Sequence, residues 1–343
     1  MTHRPHILYN LSRPMGILTT QKVASYYERY KGIDVTFTKD MIQVTGLITE
    51  QVHLKCGSDF WPCVFFATSF QGAKIVANTR SGLMGKLQHA NNLVNLRLCF
   101  KNTETGSPLT FFVAGRVMGA VPYKNSNEIS LLSIQFTQRP PDDLIEIIGR
   151  VLDANVNSAK RKDDRIIITA ETQRKLKILA KETAAFIQGV PRRCILRDMS
   201  FSGAKVIMMG VAKFLVDKET ALRFDFDDPR ESFLVKGKFI RSENVEGKKE
   251  MIALAMEFDE AFIPMGYKIR INEYLNTLRA DSRSQEKDGI PAPAAAPAPA
   301  ATPAPTAAPA PATAPAPAAT PAPAATPAPA AVPAPAAVPP AKT

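Results

Sequence analysis

The sequence predicts a mainly β protein: two tandem antiparallel β-barrels, each closed by a helix, followed by a disordered Ala/Pro tail. Three observations carry this expectation. The ten residues RDMSFSGAKV (197–206) echo FATSFQGAKI (66–75), and the neighbours of that segment recur in the same order. The recurring segments are short runs that alternate apolar with polar or small residues and favour β-branched and aromatic types. Turn-forming stretches such as KNTETGSP (101–108), DDPRES (227–232) and SENVEGKK (242–249) separate them.

From the amino terminus, MTHRPHILYNLSRPMG lacks the continuous apolar core of a signal peptide, and QKVASYYERYKG (21–32) suits a short helix. The strands of the two copies then come in matched pairs. Laying residues 63–74 over 194–205 at a shift of 131 aligns Cys63 with Cys194, Ser69 with Ser200, and Gly72-Ala73-Lys74 with Gly203-Ala204-Lys205. NLRLCF (95–100) meets ALRFDF (221–226) at a shift of 126. TFFVAGRVMG (110–119) meets SFLVKGKFIR (232–241), and LLSIQF (131–136) meets ALAMEF (253–258), both at 122. The falling shift places two small insertions in turns of the first copy, and four ordered matches make this a duplication.

Each copy ends in a helical pattern. PPDDLIEIIGRVLDA (140–154) opens on prolines and acids, as a helix amino terminus should, and repeats its apolar residues at helical spacing. IPMGYKIRINEYLNTLRADSR (263–283) does so more weakly. The predicted organisation is a first barrel domain over 1–154, an interdomain linker over 155–168, a second barrel domain over 169–285 and the tail over 286–343. From Pro291 onward the tail is almost wholly Ala, Pro and Thr, with little to bury, which predicts an extended solvated spacer.

Composition bounds the function. The 343 residues carry a formal charge of +11, and the stretch from Pro291 onward contributes only Lys342, so the folded part is basic and favours phosphate-bearing partners. Four cysteines, Cys56, Cys63, Cys99 and Cys194, sit among apolar neighbours with no C-x-x-C pairing, which predicts buried free thiols in a reducing, cytoplasmic compartment. No stretch approaches the ~20 apolar residues of a membrane span. The four histidines, His3, His6, His53 and His89, have no neighbours that suggest catalysis or a metal, so neither an enzyme nor a bound cofactor is expected.

The second copy differs from the first in what precedes and enters it. NSAKRKDDRIIIT (157–169) contains Arg161-x-x-x-Arg165, and 33 residues later comes Asp198-x-Ser200-x-x-Gly203. At the same shift the first copy has Tyr30, Asp34 and Ala67 in place of Arg161, Arg165 and Asp198, while Ser69 and Gly72 persist. Together, on a barrel pattern with a trailing helix, RKDDR and DMSFSG resemble the PilZ domain family, receptors for the bacterial second messenger cyclic di-GMP. The tandem layout is similar to flagellar-brake proteins and, more closely, to spirochaetal two-domain PilZ proteins. The likeness covers roughly residues 20 to 280.

The resemblance implies cyclic di-GMP as the regulatory ligand, held by Arg161, Arg165, Asp198, Ser200 and Gly203, with Lys160 reaching a further phosphate. It also implies a change of interdomain orientation on binding and a protein partner in the motility machinery. The residue types suit that ligand. An arginine fork grips phosphate or the O6/N7 edge of guanine, and a carboxylate accepts from guanine N1–H and N2–H. Bland readings stand beside these: Arg161 and Arg165 paired with Asp163 and Asp164 as linker charges, Asp198 marking a strand end, Gly203 a tight bend. Two rivals remain. One is a basic β-barrel that binds nucleic acid through Tyr26, Tyr27 and Tyr30; the other is a ligand-independent adaptor.

Overall fold

A computed structural model describes residues 15–80, 82–102 and 107–288. Helix α1 (Met15–Tyr30) leads through β1 (Val35–Thr36) to α2 (Lys39–Thr45). Then come β2 (His53–Cys56), β3 (Asp59–Thr68), β4 (Gly72–Asn78), α3 (Leu83–His89), β5 (Leu93–Phe100), β6 (Leu109–Pro122), β7 (Ile129–Phe136) and α4 (Asp142–Lys160). The same series follows again: β8 (Ile166–Ile167), α5 (Ala170–Leu176), β9 (Glu182–Ile187), β10 (Val190–Met199), β11 (Gly203–Met209), β12 (Glu219–Phe226), β13 (Glu231–Val245), β14 (Lys248–Phe258) and α6 (Met265–Asp288).

Both copies close into six-stranded antiparallel barrels. The first runs β3-β2-β5-β6-β7-β4 and returns from β4 to β3; the second runs β10-β9-β12-β13-β14-β11 and returns to β10. The alternation seen in the sequence is the reason, since every second residue points inward. Leu54, Ile75, Leu96 and Leu132 fill the first barrel, and Val206, Leu222, Val235, Phe239 and Leu254 the second. Strands β1 and β8 lie outside the barrels, paired to β3 and β10. The two short helices that follow them are capped alike: Thr38 Oγ1 accepts from Met41 N–H, and Thr169 Oγ1 from Thr172 N–H.

Helix α4 has two roles. It closes the first barrel, packing on α1, and it opens the second copy, packing on α6. Arg150 and Glu273 form an ion pair at 2.6 Å across that second contact. Met265 N–H donates to Asp40 Oδ2 at 2.7 Å, and Ile269 of α6 joins the core of the first barrel. Covalent connection and helix packing therefore join the two barrels side by side.

Several expectations are refined here. Helix α4 continues six residues past 154 to Lys160, so much of the predicted linker is helical. Residues 174–190 supply the end of α5 and the barrel strand β9, the counterpart of β2. Strands β13 and β14 consume most of the predicted turn 242–249, leaving Glu246 and Gly247 between them. All four cysteines are free and buried. Among the described residues no helix is long and apolar enough to cross a membrane. The Ala/Pro tail beyond 288, and His3 and His6, lie outside the described residues.

Candidate functional site

A β-bulge at the same place in each copy sets the site. Leu196 pairs with Val206 but Asp198 pairs with Lys205, so Arg197 is the extra residue on β10. In the first barrel Phe66 occupies the corresponding position, between Phe65↔Ile75 and Ala67↔Lys74. The bulged carbonyls are captured identically: Arg197 O accepts from Ile168 N–H, and Phe66 O from Phe37 N–H, both at 2.8 Å. Bulges re-aim side chains beside functional sites. In the second barrel this one sets Asp198 opposite Lys205 on the outer face.

That face forms a groove of about 290 Å³ lined by Ile167, Arg197, Asp198, Lys205, Ile207, Asn244, Val245 and Ala253. Arg165 Nη1 meets Asp198 Oδ1 at 2.6 Å; the carboxylate is 16% exposed and the guanidinium 51%. Lys205 pairs with Glu243 at 2.6 Å, and this hydrogen bond holds the Glu243 carboxyl below its usual range. The corresponding groove of the first barrel, about 280 Å³, has Ala67, Lys74 and Asp34 in these positions. There Asp34 pairs with Lys74 at 2.8 Å, so the loop supplies the anion and the strand the cation, the reverse of the second barrel.

The remaining motif residues lie elsewhere. Ser200 is 1% exposed and closes the turn between β10 and β11: its Oγ donates to Gly203 O at 3.2 Å and accepts from Ser202 N–H and Gly203 N–H. Tyr267 Oη of α6 donates to the Ser200 carbonyl at 2.7 Å. A Cβ on Gly203 would lie 2.4 Å from Met256 O, and one on Gly72 2.4 Å from Ile134 O. Serine and glycine are thus parts of barrel closure, which is why both copies keep them.

Arg161 does not line the groove. It caps α4 at 8% exposure, with Nε on Asp164 Oδ2 at 2.8 Å and Nη1 on Asn276 Oδ1 at 3.4 Å. Arg161 thus pairs with the nearby acid Asp164, while Arg165 pairs with Asp198 and not with Asp163 or Asp164. Lys160, the last residue of α4, is exposed. The segment between the arginines is tied to the second barrel, since Ser202 Oγ donates to Lys162 O at 2.9 Å and Lys162 pairs with Glu260.

Sequence reasoning missed Lys205, Asn244, Val245 and Ala253 as groove residues. Lys205 was legible, because it lies two residues after Gly203 and so on the same face of β11. Asn244 was not, because its stretch reads as a turn. Tyr26 and Tyr30, offered for stacking on bases, are buried between α1 and α4, and Tyr27 is partly buried against Phe70. Burial raises the Tyr30 hydroxyl well above its ordinary range, assisted by its hydrogen bond to Asp153.

Comparison with known proteins bears on the whole arrangement. Residues 21–155 match the PilZN3 domain family. A protein of Treponema denticola named cyclic di-GMP binding protein is 42% identical over 266 residues, spanning 77% of this chain and 85% of that one. Among solved structures, Borreliella burgdorferi PlzA in complex with c-di-GMP is 24% identical, with 75% of this chain and 99% of that chain covered and a TM-score of 0.35. Escherichia coli YcgR in complex with c-di-GMP is 10% identical, with 72% and 91% covered and a TM-score of 0.26. The identity and coverage of the treponemal relative place the two barrels described here in one lineage: this chain belongs to the PilZ family, as a tandem member with the Arg-x-x-x-Arg and Asp-x-Ser-x-x-Gly motifs in its second copy.

Proposed function

We propose that the chain is a cyclic di-GMP receptor whose site is the groove of the second barrel. The observation that carries this reading is the Arg165–Asp198 pair at the groove, with Ala67 and Asp34 in the equivalent places of the first barrel. A guanine base satisfies both members of such a pair at once. Its N1–H and N2–H donate to a carboxylate, and its O6 and N7 accept from a guanidinium fork. The base therefore replaces the ion pair without leaving either charge unpaired, which a simple anion does not. Arg197 and Lys205 on the groove wall, with Lys160 nearby in sequence, supply the positive field for the two phosphates. Ser200 and Gly203 serve the closure of the barrel beside the groove and not the ligand itself. The name of the treponemal relative supports the choice of ligand.

On this reading the protein is a binder and not an enzyme. The dinucleotide fixes the orientation of the barrels through the α4–α6 contact, and the altered surface is read by a protein partner, with motility control as the process. Differential affinity for the two arrangements is what makes the ligand a switch. The test is calorimetric titration of cyclic di-GMP into wild type, Arg165→Ala and Asp198→Ala. Each variant loses at least about thirtyfold in affinity, the worth of a hydrogen-bonded charged group at ~2 kcal/mol. Wild type that gives no heat at tens of micromolar refutes the receptor. Small-angle scattering curves that coincide with and without ligand remove the reorientation alone. No observation favours nucleic acid as strongly, because two of the three tyrosines offered for it, Tyr26 and Tyr30, are buried.

A further inference from the structure

The helix seam between the barrels contains a buried polar chain that the receptor reading leaves unused. Asp153 of α4, 3% exposed, accepts from Tyr30 Oη of α1 at 2.5 Å, from Asn272 Nδ2 at 2.7 Å and from Asn276 Nδ2 at 2.9 Å. Asn157 Nδ2 donates to Asn272 Oδ1 at 2.8 Å. Asn276 has one amide to share. A carboxylate only accepts and a guanidinium only donates, so its NH₂ must face Asp153 and its oxygen must face Arg161. The amide therefore fits between those two charges in a single orientation.

The duplication explains how this arose. The shift of 131 that relates α1 to α4 puts Tyr30 over Arg161, and the shift of 123 that relates α4 to α6 puts Asp153 over Asn276. Tyr30 donating to Asp153 in the first seam is thus the counterpart of Arg161 donating to Asn276 in the second. The first seam is a phenol on a carboxylate. The second is a guanidinium on an amide, so a motif arginine sits where the other seam has a purely structural contact.

We infer that Asn276 is a positioning residue of the dinucleotide site: together with Asp164 it cages Arg161 in the α4–α6 seam, and ligand capture must draw the guanidinium out. This rests on the receptor reading and on the ligand role that the Arg-x-x-x-Arg likeness implies for Arg161, and it names how that site is regulated. While caged, Arg161 is unavailable, and apparent affinity is lowered by the fraction of molecules in which it is free. Release also strips Asn276 Oδ1 of its donor, in the amide that holds Asp153 and, through it, Tyr30 of the first domain. The ligand thereby acts on the contact between barrels from within the second barrel.

The experiment is calorimetric titration of the full chain with cyclic di-GMP, each variant checked for its melting temperature. Asn276→Ala binds about fivefold more tightly than wild type, the factor that removing one hydrogen bond of ordinary net strength supplies. The gain vanishes in an Arg161→Ala background, where there is no guanidinium to release. Asn157→Ala, which loosens the seam without touching Arg161, leaves affinity within about twofold. Asp164→Asn, at an exposed position, opens the cage from its other side and gains more than Asp163→Asn, which removes the same charge one residue away. An affinity of Asn276→Ala equal to or below wild type overturns the inference while the receptor stands, and so does a gain that survives in the Arg161→Ala background. If Asn276→Ala does not fold, Asp164→Asn against Asp163→Asn decides. Loss of binding in wild type itself overturns both.

Discussion

Replacing Gly203 with alanine separates barrel closure from ligand contact at a residue where the family motif assigns a binding role. The added Cβ would sit 2.4 Å from Met256 O, at least 0.6 Å inside the 3.0 Å that real Cβ atoms respect. The obstructing atom is backbone of β14, held in the ladder where Gly203 faces Glu257, so it cannot swing aside as a side chain would. Overpacking of this kind costs about 1–3 kcal/mol and sometimes more. The lost chain entropy of glycine returns only a fraction of a kcal/mol. A net loss near 2–3 kcal/mol lowers the melting temperature of a barrel this size by roughly 5–10 °C. The assay is scanning calorimetry of the full chain, with cyclic di-GMP titrated well below the transition. Gly203→Ala melts earlier yet binds within about threefold of wild type, since no groove-lining atom has been removed. Gly72→Ala is the matched control, because its Cβ meets Ile134 O at the same 2.4 Å in the barrel without the aspartate. Both variants must lose comparable stability. A Gly203→Ala protein that melts like wild type but no longer binds would refute the reasoning and return the glycine to the ligand.

Two further outcomes follow from the buried groups. Burial pushes the Cys63 and Cys194 thiols up to about 12 from 9.0, so the stability of keeping them neutral is complete below pH 9 and lost as pH rises toward 12. Urea midpoints measured from pH 8 to 10.5 therefore fall, and the fall is shallower in Cys63→Ala/Cys194→Ala; equal slopes rule out the thiols as its source. In the seam, Tyr30→Phe costs about 1–2 kcal/mol by removing one donor from Asp153, whereas Asp153→Ala costs about 3 kcal/mol or more by leaving Tyr30, Asn272 and Asn276 without their acceptor. Denaturant titration that ranks the two variants in the opposite order contradicts the network.

The repeat made most of the fold legible. Alternation in NLRLCF and LLSIQF gives strands because half of each run must be buried, and the matched order of the segments predicts two like barrels before any register is known. What escaped is what depends on register. A strand such as β9, ETAAFI, is too short and too rich in small residues to announce itself; it becomes a strand because β10 and β12 need a partner between them. The site divides in the same way. Arg165 and Asp198 were readable as a pair of complementary types that appear together in one copy. The seam position of Arg161 was not, because it depends on Asn276, 115 residues away, and only the packing of α4 on α6 brings the two within reach.

The two copies show which parts of the motif the fold requires and which it merely permits. The bulge, the serine-closed turn and the glycine recur in both barrels because strand closure demands them. Residues 34 and 165, and 67 and 198, belong to neither barrel's core cluster. The first copy neutralises its lysine with Asp34, and the second poises Arg165 against Asp198. On the receptor reading, binding chemistry thus resides at positions that no barrel core claims. Arg161 is the exception. It holds a buried seam contact as well as a motif position, so on the receptor reading its loss is felt in packing and in binding together, and variants of its partners Asn276 and Asp164 tell the two apart.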